Sequence, residues 1–490
     1  MRALLATPCR RLHDPALCGL TRRRTASQSV AVPHAAVAAR CQQSTDPAVP
    51  GPLPISVSPD SNLPSAVDVV VIGGGIIGAM TALELASEGV SVALCDKGEI
   101  GCEQSSRNWG WVRLSQRDPR EIPLMIEAIR RWEGLDARLG RKTGFVQSGI
   151  LFTARNARQM ARYEAFSRHL AEYRIDSDVL DDQGMRNLIP EHGMKLAGGL
   201  HTPFDGRAEP QLAAPAIAEA ARDAGAALYT RCAVRSIETS AGRVSGVATE
   251  RGRIACSSVV LAGGAWSRLF AGNAGVELPQ LKVMNSVLRT TPVSDGPEQG
   301  IWADAFALRK RADGGYTVSS ASDKIHHLTP DTFRLARQFL PAVRAEWSSL
   351  RLRLGRWQEE ASLPRRWAGN ERTPFEHYRM LDPPPDDRSL QRALAAARSA
   401  FPALETCEVV QSWAGMIDVT PDAIPVISAA DNVPGLFIST GYSGHGFGIA
   451  PAAGRLTADL VTGTTPLVDP APFRLSRFFD GSPVTLDAGF

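Results

Sequence analysis

Cysteine is scarce and unpatterned in this chain of 490 residues. There are eight, three of them (Cys9, Cys18, Cys41) in the first 45 positions, and no C-x-x-C pair occurs. That spacing gives no thiolate-held zinc site and no disulfide framework, and it suits a reducing compartment. No uninterrupted apolar run reaches the ~18 residues of a membrane-spanning helix; the apolar stretch around Gly73 is broken by a glycine turn. No internal repeat is evident, which sets repeat architectures aside. Charge of one sign is lacking too. The net +3 divides into +6 over residues 1–45, where seven arginines face Asp14 alone, and about −3 for the rest. The net charge of the body therefore gives no support for nucleic-acid binding.

What remains is an ordinary globular composition, 44% hydrophobic and 21% charged, long enough for two or three domains. Its most informative segment is Val69-Val70-Val71-Ile72 running into Gly73-x-Gly75-x-x-Gly78. An apolar strand, a glycine turn and a helix start in that order make a dinucleotide site. Gly73 permits the tight turn, Gly75 lets backbone approach a pyrophosphate, and Gly78 lets helix pack on strand. The N–H groups of Ile76, Ile77 and Gly78 open the helix and face phosphate. A second strand, Val90–Cys95, delivers Asp96, an acid 18 residues after Gly78 that can bond ribose hydroxyls.

The expected fold class is α/β (α+β overall), a Rossmann-like domain with an inserted mixed-sheet substrate domain. Residues 1–64, rich in Arg, Ala, Ser and Pro, read as a leader, either a targeting peptide or a disordered extension. The nucleotide domain is expected to be discontinuous, in 65–142, 205–275 and 409–465. Residues 143–204 and 276–408 would form the substrate domain, and 466–490 a tail. Helices are expected over 157–173, from Leu212 to Ala224, from about Ala450, and in part of 334–366. His326-His327 is not a metal pair, since adjacent strand residues face opposite sides, and no metal is assigned.

Four blocks together, Gly73–Asp96, Ser105-Ser106-Arg107-Asn108-Trp109-Gly110, Val259–Trp266 and Gly435–Gly463, resemble the D-amino-acid oxidase superfamily, over roughly residues 65–465. The likeness is greatest to bacterial enzymes similar to D-amino-acid dehydrogenases. The resemblance implies FAD as cofactor and oxidation of the C–N bond of an amino acid or amine, giving an imine, then an oxo acid and ammonia. Flavin-dependent 2-hydroxy-acid oxidation, or a non-catalytic flavin-binding subunit, fits the same blocks. By resemblance, Gly73, Gly75, Ile76, Ile77 and Gly78 hold the pyrophosphate and Asp96 the adenosine ribose. Lys97 flanks the adenine or is a surface lysine. Ser105 and Ser106 lie along the pyrophosphate and ribityl chain, and Arg107 is a phosphate partner or an exposed loop arginine. Val234 offers backbone to the adenine, and Gly263 sits with the cofactor. Gly441, Gly444 and Gly446 approach the flavin ring, and His445 contacts it or caps a turn.

The departures matter as much. The cysteine that tethers FAD in sarcosine-oxidase-type members is replaced by Gly415, ahead of Thr420-Pro421-Asp422. The alternative histidine tether is replaced by Asn108 and Trp109. FAD is therefore expected to be non-covalent. Where relatives carry an Arg-Pro carboxylate clamp, this chain reads Met416-Ile417-Asp418. Substrate binding thus falls to Arg113, as carboxylate partner or flavin modulator, and to Asp418, as partner of a substrate ammonium. The electron acceptor is oxygen, a quinone or a redox protein. The location implied is cytoplasmic, or the mitochondrial matrix if the leader is a transit peptide.

Overall fold

In the computed structural model, residues 51–347 and 349–486 are described. Of the expected leader, residues 1–50 lie outside them, as do the last four residues of the tail. The apolar run Val69–Ile72 is a fully buried strand, as a strand covered on both faces must be. It pairs in parallel with Val92–Cys95 on one side and Ser258–Leu261 on the other. Ala227–Tyr229 and Leu436–Thr440 extend this sheet in parallel, and Val426–Ala429 closes one edge antiparallel. Segments from four distant parts of the chain thus make one six-stranded sheet.

Helix Ile76–Ser87 packs on this sheet beside Pro210–Asp223 and Gly446–Thr462, and Ile122–Leu139 lies against the last of these. Ala213, Ala214, Ile217 and Ala221 bury the inner stripe of Pro210–Asp223. Helix 446–462 approaches 76–87 so closely that a Cβ on Gly454 would lie 2.7 Å from Met80. Two helix starts differ from expectation. Pro210 is itself the first residue of its helix, where a missing N–H costs nothing. The last helix begins at Gly446, not Ala450, so Pro451 lies beyond its first turn.

A second, ten-stranded sheet begins at its edge with Leu350–Arg353, Lys324–His327 and Leu281–Thr290. It continues through Tyr316–Ser319, Ala307–Lys310, Gly300–Trp302 and Ile150–Ala154 to Gly198–Thr202 and Asp178–Asp181. Strands from 143–204 and from 276–408 share it, Gly300–Trp302 pairing in parallel with Ile150–Ala154. Val409–Val419 belongs here as well, antiparallel to Leu281–Thr290 from Leu281↔Val419 to Thr290↔Val409. The chain therefore returns to the first sheet at Val426, not at 409.

The stretch 51–64, assigned to the leader from its composition, is corrected: it packs on the nucleotide-side helices and sheet. Val57 is buried. The Ile55 N–H donates to Gln211 O, and Asp60 exchanges two bonds with the Leu228 backbone. Among the described residues no helix is long and apolar enough to cross a membrane, and no group of His, Cys, Asp and Glu could hold a metal. His326 is buried, its ring bonded to Lys282 O and Thr332 Oγ1.

Candidate active site

One cavity of about 600 Å³ runs from the glycine turn at Gly73 to the loop at Gly444–Gly446. At its first end the turn is shaped by the lack of side chains. Gly73 has φ +109°, and a Cβ there would sit 2.4 Å from Ala262 O; one on Gly78 would sit 1.9 Å from Gly73 O. Gly75, in extended geometry ahead of the helix, would place a Cβ within 4 Å of Ser105 Oγ alone, at 3.1 Å. Helix 76–87 has no acidic residue in its first turn, so its positive end is not neutralised by its own sequence. Ser105 Oγ takes the Ile76 N–H at 2.8 Å.

Gly73, Gly75, Ile76, Ile77, Asp96, Lys97, Ser105, Arg107, Val234 and Gly263 all line the cavity. Their bonding refines the expectations. Asp96 accepts from the N–H of Gly74 and of Gly98, both at 2.6 Å, and burial raises its pKa while Lys97 opposes the rise. Lys97 is neither loose nor on the surface: its Nζ donates to Glu103 and to Tyr378 O and Arg379 O, over the Trp266 ring. The Arg107 guanidinium is not an exposed loop group. It is buried and committed to Asp382, Ala414 O and Cys102 O, which leaves little of it for a phosphate. Ser106 is corrected as a cavity residue, since its hydroxyl turns inward to Glu103 O. Gly78 likewise stays behind the turn, a packing contact.

At the other end Gly444, His445 and Gly446 line the cavity while Gly441 does not. Gly441 has φ +75°, and a Cβ on it would meet Thr420 Cγ2 at 2.4 Å. Its N–H is held at 2.7 Å by Asp418 Oδ2, which also accepts from Thr440 Oγ1 (3.1 Å) and Gln280 Nε2 (3.2 Å). Asp418 is buried, and desolvation pushes its carboxyl up to about 6. Asp418 lines the cavity as expected, but its Oδ2 is taken up by these three donors, so that oxygen braces the loop that carries Gly441.

Arg113 is half-buried in the cavity wall, with its guanidinium 5.6 Å from the Phe152 ring and one N–H on Ser115 O. Desolvation, reinforced by neighbouring Arg117, pulls its pKa down to about 9, which still leaves it cationic at neutral pH. Trp109, Trp111, Phe152 and Trp302 form an aromatic wall beside it, with Trp109–Trp111 edge-on at 5.3 Å and Phe152–Trp302 stacked at 5.8 Å.

Sequence reasoning missed three groups. Glu121 is fully buried with Oε2 3.2 Å from His445 Nδ1, and burial pushes its carboxyl up to about 7. Arg117 is buried beside it, and its Nη1 finds no bond among the described residues. The signal was the run Arg117-Asp118-Pro119-Arg120-Glu121, charges entering the apolar helix Ile122–Leu139 where solubility does not require them. The third is the ion pair Lys324–Glu346, at 2.7 Å on the cavity wall; nothing in the local sequence brings these two together.

The residues present fit a flavin dinucleotide: a turn whose glycines a Cβ would block, a helix start facing the cavity, and a continuous space onward to a second glycine loop. The family model described as DAO, FAD dependent oxidoreductase, matches residues 68–460. The glycine oxidase of Pseudomonas putida is 28% identical over 417 residues, covering 83% of this chain and 97% of that protein. The sarcosine oxidase subunit beta of Rhizobium meliloti is 25% identical, covering 84% of this chain and 89% of that protein. The structure of L-amino acid deaminase from Proteus myxofaciens, in complex with anthranilate, is similar at a TM-score of 0.84 and 32% identity, covering 87% of this chain and 96% of that one. The chain belongs to the DAO family, and it is an FAD-dependent oxidoreductase.

Proposed function

We propose that this enzyme oxidises the C–N bond of an amino acid carrying a free carboxylate. The carrying observation is Arg113 on the cavity wall, its guanidinium 5.6 Å from the Phe152 ring and beside the aromatic cluster of Trp109, Trp111 and Trp302. A guanidinium there pairs with a carboxylate and orients the substrate, and the aromatic rings exclude water from its other side. Bound FAD would supply the two-electron acceptor for hydride from the substrate Cα–H, and water would hydrolyse the resulting imine to an oxo acid and ammonia. Helix Gly446–Thr462 aims its positive end at this part of the cavity. The pair His445–Glu121 and the brace at Asp418 hold the loop from which that helix starts. Glycine oxidase and L-amino acid deaminase among the similar proteins support an amino-acid substrate.

The site retains FAD without a covalent bond, a reading supported by Gly415 at the usual cysteine position. The five described cysteines are all free, which supports a reducing compartment, cytoplasm or mitochondrial matrix. Anaerobic bleaching of the bound flavin tests the proposal, with amino acids, amines lacking a carboxylate, and 2-hydroxy acids as the panel. Bleaching by amino acids is expected. Bleaching by hydroxy acids alone, or by nothing, overturns it. Oxygen, a quinone and a redox protein are then compared as acceptors by turnover with each.

A further inference from the structure

Half of the large apolar side chains exposed on the described surface fall within one segment of 25 residues. They are Phe333, Leu340, Trp347, Leu352, Leu354 and Trp357, with Trp347 64% and Leu354 69% exposed. Their placement is regular. Helices Pro330–Arg334 and Ala336–Glu346 follow one another, with Leu335, Phe339 and Ala342 turned into the core. Phe333, Leu340 and Trp347 recur every seven residues on the outer side, and Arg337 and Arg344 stand one turn after the first two. Strand Leu350–Arg353 is the edge of the large sheet, and it alternates leucine with arginine. The rings of Phe333 and Trp357 touch at 5.8 Å, joining the helical stripe to the segment after the strand.

The charge points the same way. Residues 330–366 carry eight arginines against four acids. With seven arginines and two acids in the first 50 residues, the chain from 51 onward is −2 overall, so this patch is a cationic island on a slightly acidic body. Several of its arginines are paired, Arg351 with Asp323 and Arg353 with Asp386. Arg337 and Arg344 have no ionic partner among the described residues.

We infer that this face is a docking surface for an anionic lipid membrane, on which the enzyme lies without crossing it. Exposed tryptophan, phenylalanine and leucine interleaved with arginine is the chemistry of an interfacial helix. The apolar side chains enter the headgroup boundary while the guanidinium groups meet lipid phosphate. No described helix is long and apolar enough to offer a spanning alternative. The surface also adjoins the active site. Glu346 and Ser349 line the cavity, and Trp347 stands outward between them.

The test uses the full-length holoenzyme with sedimentable vesicles of phosphatidylcholine containing phosphatidylglycerol, and with phosphatidylcholine alone. The arginines of residues 1–45 can themselves attract anionic vesicles, so the decisive comparison is between wild type and two independent patch variants. These are Leu340→Ser/Trp347→Ser/Leu354→Ser and Arg337→Glu/Arg344→Glu, each checked for flavin content and melting temperature. Wild type is expected to partition onto the anionic vesicles, more weakly at high salt. Each variant that keeps its flavin is expected to lose roughly tenfold or more of that partitioning, with turnover of free substrate unchanged. Equal partitioning by wild type and both variants, or none by wild type, overturns the inference. So does a concentration-dependent dimer that the variants abolish without any vesicle binding, which assigns the face to a second copy of the chain.

Discussion

The carboxylate of Glu121 and the imidazole of His445 meet at 3.2 Å with both side chains shut off from solvent. They join the start of helix Ile122–Leu139 to the residue preceding helix Gly446–Thr462, so the loop at the cavity end is anchored across more than 300 residues of sequence.

A pH dependence of stability follows. Burial lifts the Glu121 carboxyl to about 7 from an ordinary 4.5; Arg117 and Arg113 oppose the rise, and Asp118 and Asp422 add to it. The folded state therefore holds this proton more tightly than the unfolded chain. Between about pH 5 and pH 7 stability falls as pH rises, and above that the loss is complete, on the order of 3 kcal/mol. Asp418 and Asp205, each raised to about 6, slope in the same sense. Glu121→Gln removes only its own share. Melting temperatures across this range are expected to fall less steeply in the variant; identical slopes would show that Glu121 is already ionised in the fold.

Two glycines of the same turn should fail differently. Gly78→Ala drives a methyl to 1.9 Å from the backbone oxygen of Gly73, which cannot swing aside as a side chain can. It should cost about 1–3 kcal/mol or more in stability and lose flavin as a consequence. Gly75→Ala meets only a serine hydroxyl at 3.1 Å, so the fold should survive while FAD retention drops, because the methyl stands in the approach to the pyrophosphate. Thermal melts alongside flavin absorbance separate the two; full FAD occupancy in a stable Gly75→Ala protein would refute the placement.

Arg113→Met should weaken amino-acid binding by roughly ten- to a hundredfold, the worth of a charge-assisted contact of about 1.5–3 kcal/mol. Amines without a carboxylate should be little affected. Asp418→Ala should instead leave substrate preference alone. It strands the buried Gly441 N–H and removes an acceptor shared by Gln280 and Thr440, so melting temperature and FAD affinity should fall together. Equal losses for both substrate classes with Arg113→Met would place the arginine in the service of the flavin.

Acid or heat precipitation should release intact FAD into the supernatant if, as the family resemblance implies, Gly415, Asn108 and Trp109 stand where a tethering cysteine or histidine would be. Flavin remaining with the denatured pellet would identify a covalent bond.

Much of this was legible in the sequence because it is local. The strand-turn-helix at Val69–Gly78 announces itself through glycine spacing and an unbroken apolar strand. The chain's return to the first sheet was misplaced at 409 because Val409–Val419 is apolar enough for either sheet; only its partner, Leu281–Thr290, decides. Asp418 shows the opposite difficulty. An acid beside a binding loop reads as a ligand, and only the donors converging on one of its oxygens from Gln280, Thr440 and Gly441 reveal that it also braces the loop. The stretch 51–64 looked like leader because it lacks periodicity, yet its backbone is tied down by Gln211 and Leu228. Distant partners leave no mark in a local pattern.

The order of segments in the first sheet bears on how the protein is made. The Gly73 turn is complete early, but Gly444–Gly446 leaves the ribosome about 370 residues later, on the order of half a minute at ~5–20 residues per second. Throughout that interval the central strand Val69–Ile72 lacks the distant strands that finish its sheet. Chains stopped short of the last helix should carry half a cradle and bind no flavin, so the cofactor can select finished molecules from unfinished ones.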